Sequence, residues 1–264
     1  MTGRPLGQVF LASPRVAARI VAALGAGPGE NCVEIGPGKG ALTALLHATG
    51  ARLTLVEIDP TLAALLAQRY PQATVICGDA TDKDVIRKAL GNGALVVGNL
   101  PYNAAGPILG ALLANRALVK RMVLMFQREV AQRIAASIGD REYGGLSLMV
   151  QCRARVEYLF EVSPQSFRPV PRVWSSVLRL TPQDLPHPCA AVADEKAFLD
   201  LALAVHACPR KTVANSLARG LGISRLEAEG LLRQAQIEPG VRPASVGPVD
   251  LVNLYMAIRR SALR

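Results

Sequence analysis

The tetrapeptide Asn99-Leu100-Pro101-Tyr102 holds residue types that could prepare an aromatic amine for attack on an electrophile. The exocyclic nitrogen of adenine is a poor nucleophile because its lone pair is delocalised into the ring. Two acceptors that take its two N–H bonds would localise that pair. The side-chain amide oxygen of Asn99 can be the first and the backbone carbonyl of Leu100 the second. Pro101 narrows the freedom of the loop, so that two such acceptors could converge. Tyr102 offers a ring on which a base can stack. The same residues also read as an ordinary turn, because Asn and Pro are both turn formers.

Three other segments suit a nucleotide-like ligand. In Glu34-Ile-Gly-Pro-Gly-Lys-Gly40, Gly36 and Gly38 let the chain turn sharply and let a ligand approach the backbone. Free amides at the following helix start favour a carboxylate or phosphate. The spacing is not the Gly-x-Gly-x-x-Gly dinucleotide fingerprint. Glu57 lies 21 residues beyond Gly36, where an acid accepts hydrogen bonds from ribose hydroxyls. Asp79, in Cys-Gly-Asp-Ala, could take an adenine amino group, or simply cap the next helix. Together they point to an adenosine-containing ligand.

These residues need elements to hold them. Apolar runs at 31–35, 52–58, 73–77 and 94–98 predict strands, each followed by a motif and then a helical pattern: 41–49, 60–69, 82–90 and 106–114. A further helix, 14–24, follows Ser13 as cap and Pro14 as first helical residue. Strands alternating with helices imply a doubly wound α/β domain with a parallel sheet. Runs at 122–126, 147–151, 156–159 and 176–180 predict later strands, with a helix near 127–138. The stretch 181–188 is rich in proline, and beyond it only helical patterns remain, near 194–206, 211–218, 224–235 and 248–262. The expected division is a catalytic domain over 1–182 and a small all-helical C-terminal domain over 183–264.

Composition narrows the partners. The 264 residues are 50% hydrophobic and 19% charged, which excludes intrinsic disorder. The net charge of +10 favours a polyanion. Residues 116–179 alone carry 11 basic and 5 acidic residues, a net of +6. Five dispersed cysteines (32, 77, 152, 189, 208) and three histidines (47, 187, 206) have no ligand or disulfide spacing, so no metal is expected. No signal peptide and no apolar run of membrane-spanning length is seen, so a soluble cytoplasmic protein is expected.

Gly7-Gln-Val-Phe-Leu11, Val33-Glu-Ile-Gly-Pro-Gly38, Val56-Glu-Ile-Asp59, Gly78-Asp-Ala80 and Gly98-Asn-Leu-Pro-Tyr-Asn103 resemble, in order and spacing, the rRNA adenine dimethyltransferases. Phe167-Arg-Pro-Val-Pro-Arg-Val173, Ser175-Ser-Val, Arg210-Lys-Thr-x-x-Asn215 and Arg242-Pro243 extend the resemblance over essentially the whole chain. It is most similar to the bacterial small-subunit, kasugamycin-sensitivity branch. The resemblance implies a Rossmann-like class I methyltransferase fold with a helical C-terminal domain that binds RNA or the ribosome. It implies transfer of methyl groups from S-adenosylmethionine to two adjacent adenines near the 3′ end of the 16S rRNA, on the 30S subunit and as part of its biogenesis. It implies a monomer and no membrane partner.

The resemblance also assigns roles. Gly36 and Gly38 would hold the methionine part of the cofactor, with Leu11 and the backbone near Val9 closing over it. Glu57 would hold the ribose and Asp79 the adenine amino group. Asn99 and Leu100, spaced by Pro101, would hold the target amine, Asn99 also contacting the cofactor, and Tyr102 and Phe167 would sandwich the target base. Arg116, Lys120, Arg121, Arg128, Arg133, Arg168 and Arg172 would contact phosphates, joined by Arg210 and Lys211 in the helical domain. The chain departs from the family pattern at several positions. Val9 stands where Asn or His is usual, Trp174 where an acid is usual, and His206 and Pro209 where a Phe and an Arg are usual.

Two alternatives remain at this level: a large-subunit, macrolide-resistance type dimethyltransferase, or a non-catalytic assembly factor on the same fold. The Gly-Pro-Gly loop and the Arg210-Lys211-Thr212 tail favour the small-subunit branch, and intact Asn99, Tyr102 and Glu57 favour an enzyme. The basic balance makes a first testable prediction. RNA affinity falls steeply as salt rises, because bound phosphates release counterions. A logarithmic salt slope near zero would contradict phosphate binding.

Overall fold

The computed structural model describes residues 9–183, 192 and 194–262. Most of the proline-rich stretch 181–188, together with Gly7, Gln8, Cys189 and His187, lies outside the described residues. The chain divides into two compact units: Met1–Ala131 with Val156–Pro182, and Gln132–Arg155 with Gln183–Arg264. The second unit thus takes in a segment, 132–155, that the sequence reading placed with the catalytic domain.

The first unit is built on a seven-stranded sheet. In chain order its strands are β2 (Asn31–Ile35), β3 (Arg52–Glu57), β4 (Thr74–Cys77), β5 (Ala94–Asn99), β6 (Val119–Gln127), β7 (Ala154–Val162) and β9 (Ser175–Pro182). Their spatial order is β4-β3-β2-β5-β6-β9-β7. The pairs β4–β3, β3–β2, β2–β5 and β5–β6 are parallel, and β6–β9 is antiparallel. Helices α1 (Pro14–Leu24), α2 (Thr43–Ala48), α3 (Pro60–Arg69), α4 (Lys83–Leu90) and α5 (Ala105–Ala114) connect and cover the strands. The direction of winding reverses between β2 and β5. In open α/β sheets the crevice at such a reversal, beyond the carboxyl ends of the strands, is where ligands bind.

Local chemistry explains the boundaries. Ser13 Oγ accepts from the Val16 amide, and Pro14 needs no N–H at the first helical position, so α1 starts there. Gly25 ends it at φ +66°. Asp59 opens α3 by accepting from the Thr61 and Leu62 amides. The strands β2 and β5 are almost wholly buried, and each leucine, valine or isoleucine taken out of water contributes about 1.5–3 kcal/mol. That burial selects unbroken apolar runs over alternating ones.

A second, two-stranded sheet pairs β1 (Phe10–Leu11) with β8 (Phe167–Arg168), antiparallel, Phe10 opposite Arg168 and Leu11 opposite Phe167. It joins residues more than 150 positions apart, and no local pattern announces it.

One strand reading is corrected. Residues 147–151 belong to a helix, α7 (Gly145–Gln151), which follows α6 (Arg128–Ala135) in the chain and lies within the second unit. Ser147 Oγ accepts from the Gly144 amide and donates to the Arg133 carbonyl, and the Gln151 amide donates to the carbonyls of Ile134 and Ala136. Those bonds and burial on several sides produce an unbroken apolar run without a strand.

The rest of the second unit is helical: α8 (Glu195–Val205), α9 (Val213–Leu221), α10 (Arg225–Gln234) and α11 (Pro248–Ala262). Phe198, Leu201, Val205, Leu217, Leu232, Leu251 and Leu254 belong to its core. His206 is buried there, and its ring meets Tyr143 edge-on at 6.0 Å, an aromatic packing role. Burial pushes the His206 imidazole below its usual value, keeping it neutral. Helices α8 and α9 approach closely at Gly220, where a Cβ would fall 2.4 Å from the Ala204 carbonyl oxygen. Gly220→Ala should therefore destabilise the protein by about 1–3 kcal/mol despite its better helix propensity. Equilibrium urea unfolding would measure this, and a midpoint equal to or above the parent's would show that Gly220 does not set the helix spacing.

Candidate active site

Asn99 is the last residue of β5 and Leu100 the first beyond it, at the crevice between β2 and β5. The Asn99 Nδ2 donates to the Val9 carbonyl at 3.1 Å. A carbonyl can only accept, so this bond turns the amide so that Oδ1 points away from Val9. Oδ1 is the atom that must accept from an amine. The backbone near Val9, assigned above to cover the cofactor, thus orients the amide, and the valine side chain packs against the core. Leu100 is held by its amide, which donates to the Met125 carbonyl on β6 at 3.3 Å, and its side chain is buried.

Tyr102 shares a hydrogen bond with Ser175 at the start of β9, 3.1 Å from oxygen to oxygen. It is half-buried and is positioned by its hydroxyl. Phe167 is placed differently from the expectation. It is fully buried, in the same core cluster as Leu11, Val97 and Val177, and paired with Leu11. In this structure it presents no open face to a base, because the β1–β8 pairing draws it inward. Leu11 is buried with it.

On the other side of the crevice, Gly36 and Gly38 have φ values of +64° and +56°. At Gly38 a Cβ would also lie 2.9 Å from the Phe10 ring, so glycine is required twice over. The Gly38 amide donates to Glu57 Oε2 at 2.9 Å, and the Asp59 amide donates to Glu57 Oε1 at 3.1 Å. Glu57 is 3% exposed. Each of its oxygens takes one N–H and keeps a lone pair, enough to accept from a ribose diol. Asp79 is exposed and accepts the Thr81 amide on Oδ1 at 2.8 Å, while Asp82 caps α4. Asp79 is therefore not the helix cap that the sequence also allowed, and its second oxygen has no protein donor among the described residues. A glycine cradle, a carboxylate for a diol and a carboxylate for an amino group at one sheet edge fit S-adenosylmethionine.

The family model for ribosomal RNA adenine dimethylases matches residues 3–242. The chain belongs to this family. A small-subunit rRNA methyltransferase A from Geobacter metallireducens is 41% identical, over 97% of this chain and 94% of its own length. One from Marinobacter nauticus is 37% identical over 94% and 88%. In fold, the chain is similar to a dimethyladenosine transferase from Plasmodium falciparum at a TM-score of 0.77, with 21% identity and coverage of 96% and 98%. It is also similar to the 23S rRNA methyltransferase ErmE at 0.65, with 24% identity and coverage of 95% and 99%. The chain is thus an rRNA adenine dimethyltransferase, with a Rossmann-like methyltransferase fold and S-adenosylmethionine as donor.

Measured against this family role, the basic residues do not form one group. Arg128, just past β6, and Arg168 and Arg172, between β7 and β9, stand at the carboxyl edge with Asn99. Lys120 and Arg121 begin β6, where Arg121 is opposite Leu95 near the start of β5, and Arg116 lies just before them. They are at the opposite edge of the sheet from the reacting residues, so any phosphates they meet lie away from the target base. The cause is the βαβ crossover: α5 returns the chain to the other edge before the next strand begins. Lys120 there lies 3.9 Å from Glu30. Arg168 donates to the carbonyls of Gln165 and Phe167. Arg133, Arg210 and Lys211 belong to the second unit and are exposed, and the Arg210 carbonyl accepts from Arg242.

Sequence reasoning missed Phe10, Ser175 and Glu34. The first stands in the short apolar run Val9-Phe10-Leu11, and the second lies in the Ser175-Ser-Val segment without a role of its own assigned. Glu34 had one: an acid within an otherwise apolar strand. It is 2% exposed, and its Oε2 accepts from Thr43 Oγ1 at 2.6 Å. Burial pushes its carboxyl up to about 7, helped by the charge of Glu57 and opposed by the Thr43 bond. The folded protein therefore holds this proton from the ordinary carboxylate value, 4.5, up to about 7, while the unfolded chain releases it. The stability from this group is full below the lower value and is lost as pH rises through that window. Glu34→Gln keeps the Thr43 acceptor and should abolish that loss, an advantage of up to about 3 kcal/mol above pH 7. Urea unfolding at pH 5 and pH 8 tests this. Parallel pH trends in parent and variant would contradict a neutral buried Glu34.

Proposed function

We propose that the enzyme dimethylates two adjacent adenines near the 3′ end of small-subunit rRNA, on the 30S particle and during its maturation. The observation that carries this reading is the Asn99 amide, oriented by the Val9 carbonyl so that its oxygen is free for an amine. Support for the small-subunit substrate comes from relatives of 37–41% identity that carry that name and are covered over most of their length.

The chain's own residues do the following. Gly36, Gly38, Glu57 and Asp79 hold the cofactor, which supplies an electrophilic methyl group on a sulfonium. Asn99 Oδ1 and the Leu100 carbonyl accept from the two N–H bonds of the target nitrogen and direct its lone pair outward. Tyr102, held by Ser175, backs the extruded base. After transfer the amine is cationic and acidic enough to lose its proton to water, so no side chain need act as base. Alignment and two preorganised acceptors then account for the rate. The helical unit, as a ribosome-binding domain, and action as a monomer belong to the same proposal. Among the described residues no helix is long and apolar enough to cross a membrane.

The test is methyl transfer from labelled S-adenosylmethionine to undermethylated 30S and to 50S particles, with mass spectrometry of the rRNA nucleosides. Dimethyladenosine at a tandem site in 30S alone is expected, and transfer to 50S in its place would overturn the reading. Asn99→Ala should abolish transfer while leaving 30S binding within about threefold. Equal loss of both would show that Asn99 serves the fold and not the reaction.

A further inference from the structure

Trp174, the only tryptophan, is 42% exposed. It lines a small open cavity of about 220 Å³ with Gln127, Arg128, Glu129, Arg172 and Val173. Drug-sized ligands fill roughly 300–1,000 Å³, so this space suits a single ring system. Three observations identify an occupant. Trp174 shares the cavity lining with two exposed arginines, Arg128 and Arg172, and neither is taken up by an ion pair among the described residues. Exposed aromatics beside exposed arginines are how single-stranded nucleic acid is held without reading its sequence. The cavity is also fixed to the reacting centre. Trp174 precedes Ser175, whose hydroxyl bonds Tyr102, and the Trp174 carbonyl accepts from the Arg128 amide at 2.9 Å. Finally, β9 runs antiparallel to β6, with Ser175 opposite Gln127, so Trp174 stands at the same carboxyl edge as Asn99.

We propose that Trp174, with Arg128 and Arg172, forms a stacking subsite for a nucleotide flanking the target adenine. The ring stacks on the indole, and the guanidinium groups meet the phosphates on either side. Glu129 sets a limit on the charge, and its carboxylate repels a phosphate placed on its side of the cavity. An extruded base leaves its neighbours unstacked, and Trp174 replaces one lost stacking partner. The subsite rests on the proposed action on RNA and specifies how the strand is held.

The sole tryptophan is its own reporter. A short single-stranded RNA with tandem adenines should quench Trp174 fluorescence on binding, and the same RNA with an abasic site beside the target should quench it little. Binding itself is followed independently by anisotropy of a label on the RNA. Trp174→Leu should raise the KM for 30S about tenfold, the loss of one stacked base, with kcat unchanged, and Trp174→Phe should stay within about threefold of the parent. Unchanged fluorescence with the RNA demonstrably bound, or a Trp174→Leu enzyme with the parent's KM, would overturn the subsite. Absence of methyl transfer by the parent enzyme would instead overturn the functional reading, since quenching is read without turnover.

Discussion

The hydrogen bond from the Asn99 amide to the Val9 carbonyl decides which end of that amide faces the crevice. An amide free to rotate would present an acceptor or a donor, and only the acceptor activates an amine. The orientation depends in turn on the segment that carries Val9. That segment is held by the two-residue pairing of Phe10 and Leu11 with Arg168 and Phe167, and by burial of Leu11 and Phe167 in the core. Phe167 thus contributes to the site as an anchor for this clamp. The side chain at position 9 takes no part in this contact, because the backbone makes it.

The cofactor side has a comparable economy. Glu57 ties the Gly38 amide to the Asp59 amide, linking the loop after β2 to the start of α3. Its buried oxygens accept from two backbone donors and keep lone pairs for a ligand. Glu34, which no backbone amide meets among the described residues, has its carboxyl pushed up to about 7 by burial.

The sequence revealed what depends on local chemistry. Ser13-Pro14 and Asp59-Pro60 mark helix starts because their side chains cap, and 31–35 and 94–98 mark strands because burial on both faces demands apolar runs. It failed where tertiary context decides. The run at 147–151 is apolar in either state, and only the bonds of Ser147 and Gln151 make it a helix. The β1–β8 pairing is invisible because its partners are remote in sequence. Nor does closeness in sequence give closeness in space: Lys120 and Arg121 follow Tyr102 in the chain yet lie at the opposite edge of the sheet, since a crossover helix intervenes. The site motifs were legible because each ends a strand; the bonds that orient them, from Asn99 to the Val9 carbonyl and between Tyr102 and Ser175, were not.

Single-turnover methyl transfer by Asn99→Asp tests the central claim most directly. Aspartate keeps an acceptor for the amine but loses the donor that meets the Val9 carbonyl, and its charge is repelled by that oxygen. Fixed orientation by Val9 predicts a rate at neutral pH reduced at least about hundredfold, the scale of one preorganised electrostatic contact, with cofactor affinity retained. A rate within a few-fold of the parent's would show that an acceptor at position 99 suffices and that the bond to Val9 does not govern the reaction.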